Sequence, residues 1–203
     1  MKYLVRILKR YDGIILLNIA GLAMGLVGVI FISLWISHEL SYDRFHKNSD
    51  SIYRIESLVD FTGEPFVWSV APAPVGGNIR KDFPEGESVI RIKETYMPVI
   101  KKDNEIIEAE NLYYCTENFF SFFSYDLLRG SRETVFQDPY SIVLSESIAQ
   151  RLFGDDDPVG RTLMFNNKQL LTIKGIMADF PSNTHLKADY LLPFSLLDSE
   201  TEG

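Results

Sequence analysis

A run of 25 residues without Asp, Glu, Lys, Arg or His, from Gly13 to Ser37, constrains this chain more than any other feature. Fourteen of them are Leu, Ile, Val or Phe. At 1.5 Å rise per residue a helix of that length spans roughly 37 Å, against roughly 30 Å for the hydrocarbon core of a bilayer. Those fourteen side chains favour insertion by about 4 to 8 kcal/mol before the cost of Asn18 and the glycines. A soluble core helix of this length would carry a polar stripe, and this one has none. The run predicts a transmembrane helix over residues 13–37. It is far longer than the roughly 7–15 apolar residues of a secretory signal, and no A-x-A-like site follows it, so a retained anchor is expected.

The flanks predict its orientation. Lys2, Arg6, Lys9 and Arg10 precede it, opposed only by Asp12, for a net charge of +3. The whole chain carries −8, so everything after residue 12 carries −11. Basic flanks stay in the cytoplasm, which places the N-terminus inside and residues after 37 outside, with lipid as the first partner. Leu4, Ile7, Leu8 and Tyr11 share one helical face and the four basic residues fall mostly on the other. That pattern suits a short helix in the cytoplasmic headgroup layer, and suits equally a basic flank without fixed structure. Within the span, Gly21, Gly25 and Gly28 form a small-residue ridge with a G-x-x-x-G match, the kind of surface on which helices pack closely.

About 165 residues remain outside the membrane, enough to bury a real core. Their acidic balance argues against nucleic acid, whose phosphates call for a basic patch. Cys115 is the single cysteine, so no internal disulfide framework exists, and the residue reads as a small buried hydrophobe.

Along the outer part, residues 38–47 predict a continuation of the helix as a stalk, broken by Asn48, Ser49 and Asp50. Residues 52–61 read as a strand. VGGNIRKDF is helical and stops at Pro84. Residues 88–96, 98–102 and 105–114 alternate as strands. FFSFFSYDLLRG reads as a short aromatic helix and loop closed by Gly130. SIVL, residues 141–144, is a strand, Ser145 caps the helix ESIAQRLF, and Gly154 fits its C-terminal stop. Residues 161–165 and 169–178 form a hairpin across Asn166-Asn167-Lys168. The polar end LLDSETEG carries no packing signal. Strands, helices and hairpins in this mixture predict an α+β domain over 48–203.

The candidate chemical motifs each fall short. GDDDPVGRT, residues 154–162, has five residues between its glycines and Arg161 where a phosphate loop needs four and Lys. His38-Glu39 opens like H-E-x-x-H, but position 42 is Tyr. Asp155, Asp156 and Asp157 lack the remaining positions of a calcium loop. There is no G-x-S-x-G, and Phe119, Phe120, Phe122, Phe123 and Tyr125 read as core. No catalytic residue, cofactor or metal site is expected.

Four stretches, in order, resemble the permease subunits of MacB/FtsX-type ABC transporters of the lipoprotein-release and macrolide-efflux kind. They are NIAGLAMGLVGVIFISLWISHELSYDRFHKN with SIYRIE; DFPEGESVIRI; FFSFFSYDLLRGSRETVFQDPYSIVLSESIAQRLFGDDDPVGRTL; and LTIKGIMADFPSNTHLKADYLLPFS. The resemblance implies a MacB-like periplasmic core domain after the first transmembrane helix, three later helices and a permease dimer in the inner (plasma) membrane. It also implies a separate or fused ABC ATPase and a periplasmic or outer-membrane partner. It implies mechanotransmission, in which ATP-driven closure inside is passed along helix and stalk to the periplasmic domain. On that basis Gly21, Gly25 and Gly28 would pack permease helices, and Lys2, Arg6, Lys9 and Arg10 would lie where the ATPase docks. The chain stops before any later helix, so a piece of a longer permease, with a core domain lacking partner strands, is the expectation. The alternative class is a single-pass anchored binding or sensor module, for which twelve residues before the span supply no output domain.

Overall fold

The uninterrupted apolar run forms one uninterrupted helix, α1 (Asp12–Glu39), whose apolar side chains are exposed all round. The computed structural model describes residues 12–61, 63–103 and 105–201, and the chain divides after Asp43 into two units. The helix ends at Glu39, short of the continuation expected over 38–47. Ser41 Oγ donates to the His38 carbonyl at 2.6 Å and Asp43 takes φ 55°, so local side-chain bonding and a left-handed residue replace further helical turns.

The second unit begins with turns and a small hairpin, β1 (Ser57–Val59) with β2 (Phe66–Trp68), followed by α2 (Ala73–Asp82). The other strands form one mixed sheet. They are β3 (Ile92–Glu94), β4 (Val99–Lys102), β5 (Glu105–Glu108), β6 (Leu112–Cys115), β7 (Leu127–Arg129), β8 (Ser141–Ser145), β9 (Thr162–Phe165), β10 (Gln169–Met177) and β11 (Tyr190–Pro193). Three helices accompany them: α3 (Phe119–Phe122), α4 (Glu146–Phe153) and α5 (Phe194–Thr201). Among the described residues the strand order is β3-β6-β11-β8-β10-β9-β4-β5. The long β10 lies parallel to β8; its first half pairs with β9 and its last two residues with β7. The α+β expectation holds.

Period-two alternation gives the central strands two buried faces. Ile142 and Leu144 of β8, Tyr190 and Leu192 of β11, and Leu112 and Tyr114 of β6 join one core, closed by Ile148, Leu152 and Phe153 of α4 and Leu196 of α5. Val143, Leu191 and Cys115 from the same strands join the other, closed by Phe119, Phe120, Tyr125 and Phe136. The aromatic run is core, as its pattern predicts, with Phe122 and Phe123 only half-buried.

Local signals explain α4. Ser145 Oγ accepts from the Ile148 amide at 3.3 Å, and Gly154 takes φ 58° after the last turn. Lys102 Nζ donates to the Leu152 carbonyl and sits 4.8 Å from the Phe153 ring centroid, placing a cation at the helix's negative end. Ser145→Ala is expected to cost about 1 kcal/mol, read as a lower urea midpoint at unchanged slope.

Several elements depart from the sequence expectation. The strand expected over 52–61 is confined to three residues, because Asp60 Oδ1 accepts the Gly63 amide at 2.6 Å and turns the chain toward β2. The strand expected over 105–114 is two strands, β5 and β6, separated at Asn111 with φ 53°. Leu196, in the stretch that looked polar, is fully buried in α5. The loop expected before Gly130 contains β7. A Cβ on Gly130, at φ 99°, would lie 2.6 Å from the Lys174 carbonyl oxygen, and one on Gly175 would lie 3.0 Å from the Arg129 oxygen. Two glycines thus allow β7 and β10 to meet at close range.

Candidate functional site

Of the residues singled out from the sequence, Gly21, Gly25 and Gly28 lie within α1. A Cβ built on any of them meets nothing within 4 Å. Lys2, Arg6, Lys9 and Arg10 lie outside the described residues. His38 lies in the last turn of α1, with its ring centroid 5.4 Å from that of Tyr42, His185 is exposed and His46 is buried. Among the described residues no group of three or more His, Cys, Asp or Glu is placed to hold a metal ion. Cys115 is fully buried, and burial pushes its thiol well above the ordinary value, so it stays protonated and unreactive.

The acidic turn after α4 is tied by arginines. Asp156 pairs with Arg161 at 3.0 Å, and Asp157 pairs with Arg129 while accepting the Val159 amide at 3.0 Å. That backbone bond first, and the Arg129 guanidinium second, hold the Asp157 carboxyl below the usual carboxylate range. The folded form therefore favours the ionised group. Its contribution is complete above the unfolded value of about 3.9 and disappears as pH falls through the lower folded value. Asp157 is exposed, so water and salt screen the effect. The stability difference between wild type and Asp157→Asn is expected to shrink below about pH 4, as followed by acid titration of unfolding.

A polar and aromatic junction lies just inside the second unit. Only 5 % of His46 is exposed, and its ring centroid lies 4.1 Å from that of Phe45 and 5.0 Å from those of Phe123 and Tyr125. His46 Nδ1 accepts the Ser124 amide at 3.2 Å, and the Lys47 amide donates to Ser124 Oγ at 2.9 Å. Behind this contact Tyr125 stacks on Phe180 at 3.8 Å and shares a hydrogen bond of 2.9 Å with Thr184 Oγ1. Arg132 donates to the Phe120 and Tyr125 carbonyls at 2.7 and 3.2 Å, fixing the loop after α3 from the other side. No sequence motif singled out His46 for this role. The available signal was an aromatic residue beside a histidine within ten residues of the end of the apolar run.

Two further features lie in the second unit. The β1–β2 hairpin exposes Leu58, Phe61, Phe66, Val67 and Trp68 on its two faces. Beyond it, the Arg91 guanidinium lies 4.0 Å from the Phe194 ring centroid and 3.8 Å from Asp198. A Cβ on Gly76 would come within 2.6 Å of Arg91 Cδ, so the glycine lets α2 rest on that side chain.

These features define a chain with one helix long and apolar enough to cross a membrane, followed by an α+β unit whose sheet is covered on both faces. The sequence profile of the MacB-like periplasmic core domain family matches residues 15–202, and the chain belongs to that family, which comprises periplasmic domains of MacB-like ABC permeases. A permease-protein domain from Porphyromonas gingivalis is similar in structure, with TM-score 0.58, 25% identity and coverage of 68% of this chain. The chain spans 58% of the length of that domain. The periplasmic region of MacB from Actinobacillus actinomycetemcomitans matches with TM-score 0.48 and 21% identity, covering 64% of this chain and 58% of that one. The extracellular domain of the noncanonic ABC-type transporter YknZ from Gram-positive bacteria gives TM-score 0.42 and 15% identity over 56% and 57% of the two chains. No curated protein sequence matches significantly.

Proposed function

We propose that this chain is part of the permease of an ABC-type export or lipoprotein-release system. In this reading residues 1–12 lie at the cytoplasmic face, 13–37 cross the inner membrane, 38–47 act as the stalk and 48–203 form the periplasmic core domain. The observation that carries the reading is the family match over 15–202, which includes most of the apolar helix as well as the domain. A cytoplasmic ABC ATPase supplies the energy, and its closure moves the periplasmic domain through the helix and the connection that follows it. Lys2, Arg6, Lys9 and Arg10 sit where such an ATPase docks. The open surface at Gly21, Gly25 and Gly28 receives another membrane helix, from this permease or from a second copy. A periplasmic or outer-membrane partner then receives the cargo.

Co-purification from detergent-solubilised membranes tests the assignment. The protein is expected to retain an ABC ATPase, and Gly25→Leu is expected to weaken helix association by filling the ridge. Recovery without any ATPase, and with unchanged association in Gly25→Leu, would contradict it.

A further inference from the structure

We propose that the outer edge of β1 pairs antiparallel with β1 of a second copy of this chain, about a two-fold axis at Ser57, joining two hairpins into one four-stranded sheet. Among the described residues β1 pairs with β2 alone, over three residues, and the two strands form a sheet of their own. A lone two-stranded hairpin is marginal in water; three or more strands with an apolar face are needed for stability. This hairpin leaves Leu58 74% and Val67 62% exposed. The sequence RIESLVD, residues 54–60, alternates over seven positions, with Ile55 and Val59 on one face and Arg54, Glu56 and Asp60 on the other. Only Ser57–Val59 form the strand. The strand pattern therefore extends beyond the pairing that β2 supplies.

Charge complementarity selects a second copy as the occupant. Two identical antiparallel strands meet about a two-fold axis, so each register is defined by the residue that faces itself. With Ser57 at the centre, Arg54 of each strand lies opposite Asp60 of the other, and Ile55 lies opposite Val59. Two cross-strand ion pairs then close the ends of the pairing. The adjacent registers are penalised. Centring on Glu56 sets that carboxylate against itself, and centring on Leu58 sets Glu56 against Asp60. Within each hairpin Val59 stands opposite Phe66, so the row Phe66–Val59 of one copy continues into Ile55 of the other. The β2 edge offers less: Pro65 brings no amide, and centring on Val67 sets Glu64 against Val70.

The pairing concerns the hairpin alone and stands apart from the permease reading. Ser57→Cys and Val67→Cys are introduced singly into the full chain in detergent micelles. Paired through β1, the two copies of position 57 have Cα atoms about 4.5–5.5 Å apart, within reach of a disulfide. The two copies of position 67 lie three strand spacings apart, roughly 14 Å, which is out of reach. Mild oxidation should link Ser57→Cys into a dimer and leave Val67→Cys monomeric on a denaturing gel. Native Cys115 is fully buried and should give no product. Linking at neither position, at Val67→Cys alone, or equally at both as for chance collision would overturn the proposal. In the Ser57→Cys background, Arg54→Asp turns both ion pairs into like-charge pairs and should slow linking roughly tenfold, while Arg54→Lys should keep the starting rate. An unchanged rate in Arg54→Asp would overturn the register. Hydrogen exchange at Ile142–Leu144 of β8 should be the same in all variants, reporting an intact fold. Recovery without an ATPase would count against the permease reading and leave the Ser57→Cys result standing.

Discussion

Phe120→Ala is expected to lower the unfolding free energy by about 3–5 kcal/mol, the cost of emptying a large buried site that its neighbours cannot refill. Phe120 is 1% exposed; its ring stacks on Phe136 at 5.7 Å and meets Phe119 edge-on at 5.2 Å. Phe119 and Phe136 are held in turn by the sheet face that carries Val143, Leu191 and Cys115. A loss of this size is a large fraction of the roughly 5–15 kcal/mol that keeps a typical domain folded. Chemical denaturation should show a marked fall in midpoint, whereas Asp156→Ala, at an exposed ion pair, should stay within about 0.5 kcal/mol of wild type. Wild-type stability in Phe120→Ala would mean that the aromatic cluster is a recognition surface instead of a core.

Gly130→Ala is expected to be nearly as damaging, for a different reason. Its φ of 99° is strained for any residue with a Cβ, at about 1–3 kcal/mol. The added methyl would also lie 2.6 Å from the Lys174 carbonyl oxygen, a backbone atom that cannot rotate away. Displacing it disturbs the β10 segment where the pairing register with β8 already shifts, between Ile173 and Gly175. Overpacking of that kind adds about 1–3 kcal/mol. Thermal unfolding should move down accordingly, and hydrogen exchange should show β7 losing protection before β8. An unaltered melting profile would contradict the close approach of β7 and β10.

Elements with local chemical signals were legible in the sequence. Ser145 and Gly154 bracket α4, and Asn166 and Asn167 both take positive φ in the turn between β9 and β10. The α+β class followed from those pieces and from strand alternation. Strands that depend on tertiary partners were not legible. β7 is three residues long and exists because glycines let it reach β10. β11 is four residues, buried on both faces and closed by Pro193, so it shows no alternation. The end of the chain reads as polar because Leu196 needs only one helical position to enter the core. The parallel pairings of β8 with β10 and of β6 with β11 join segments far apart in sequence, and no local pattern encodes them. The same holds for the candidate site: the glycine ridge was visible as spacing, whereas the His46 contact with Ser124 is set entirely by the fold.

In the proposed permease reading, α1 crosses the membrane and the α+β domain stands outside the cytoplasm. Cysteine-accessibility labelling in intact cells tests this most directly, with single substitutions Asp60→Cys and Tyr140→Cys at exposed positions. Native Cys115 is fully buried and contributes little background. Both introduced thiols should react with a membrane-impermeant reagent that reaches the periplasm but does not cross the inner membrane. Labelling that appears only after the inner membrane is permeabilised would place the domain in the cytoplasm and contradict the account.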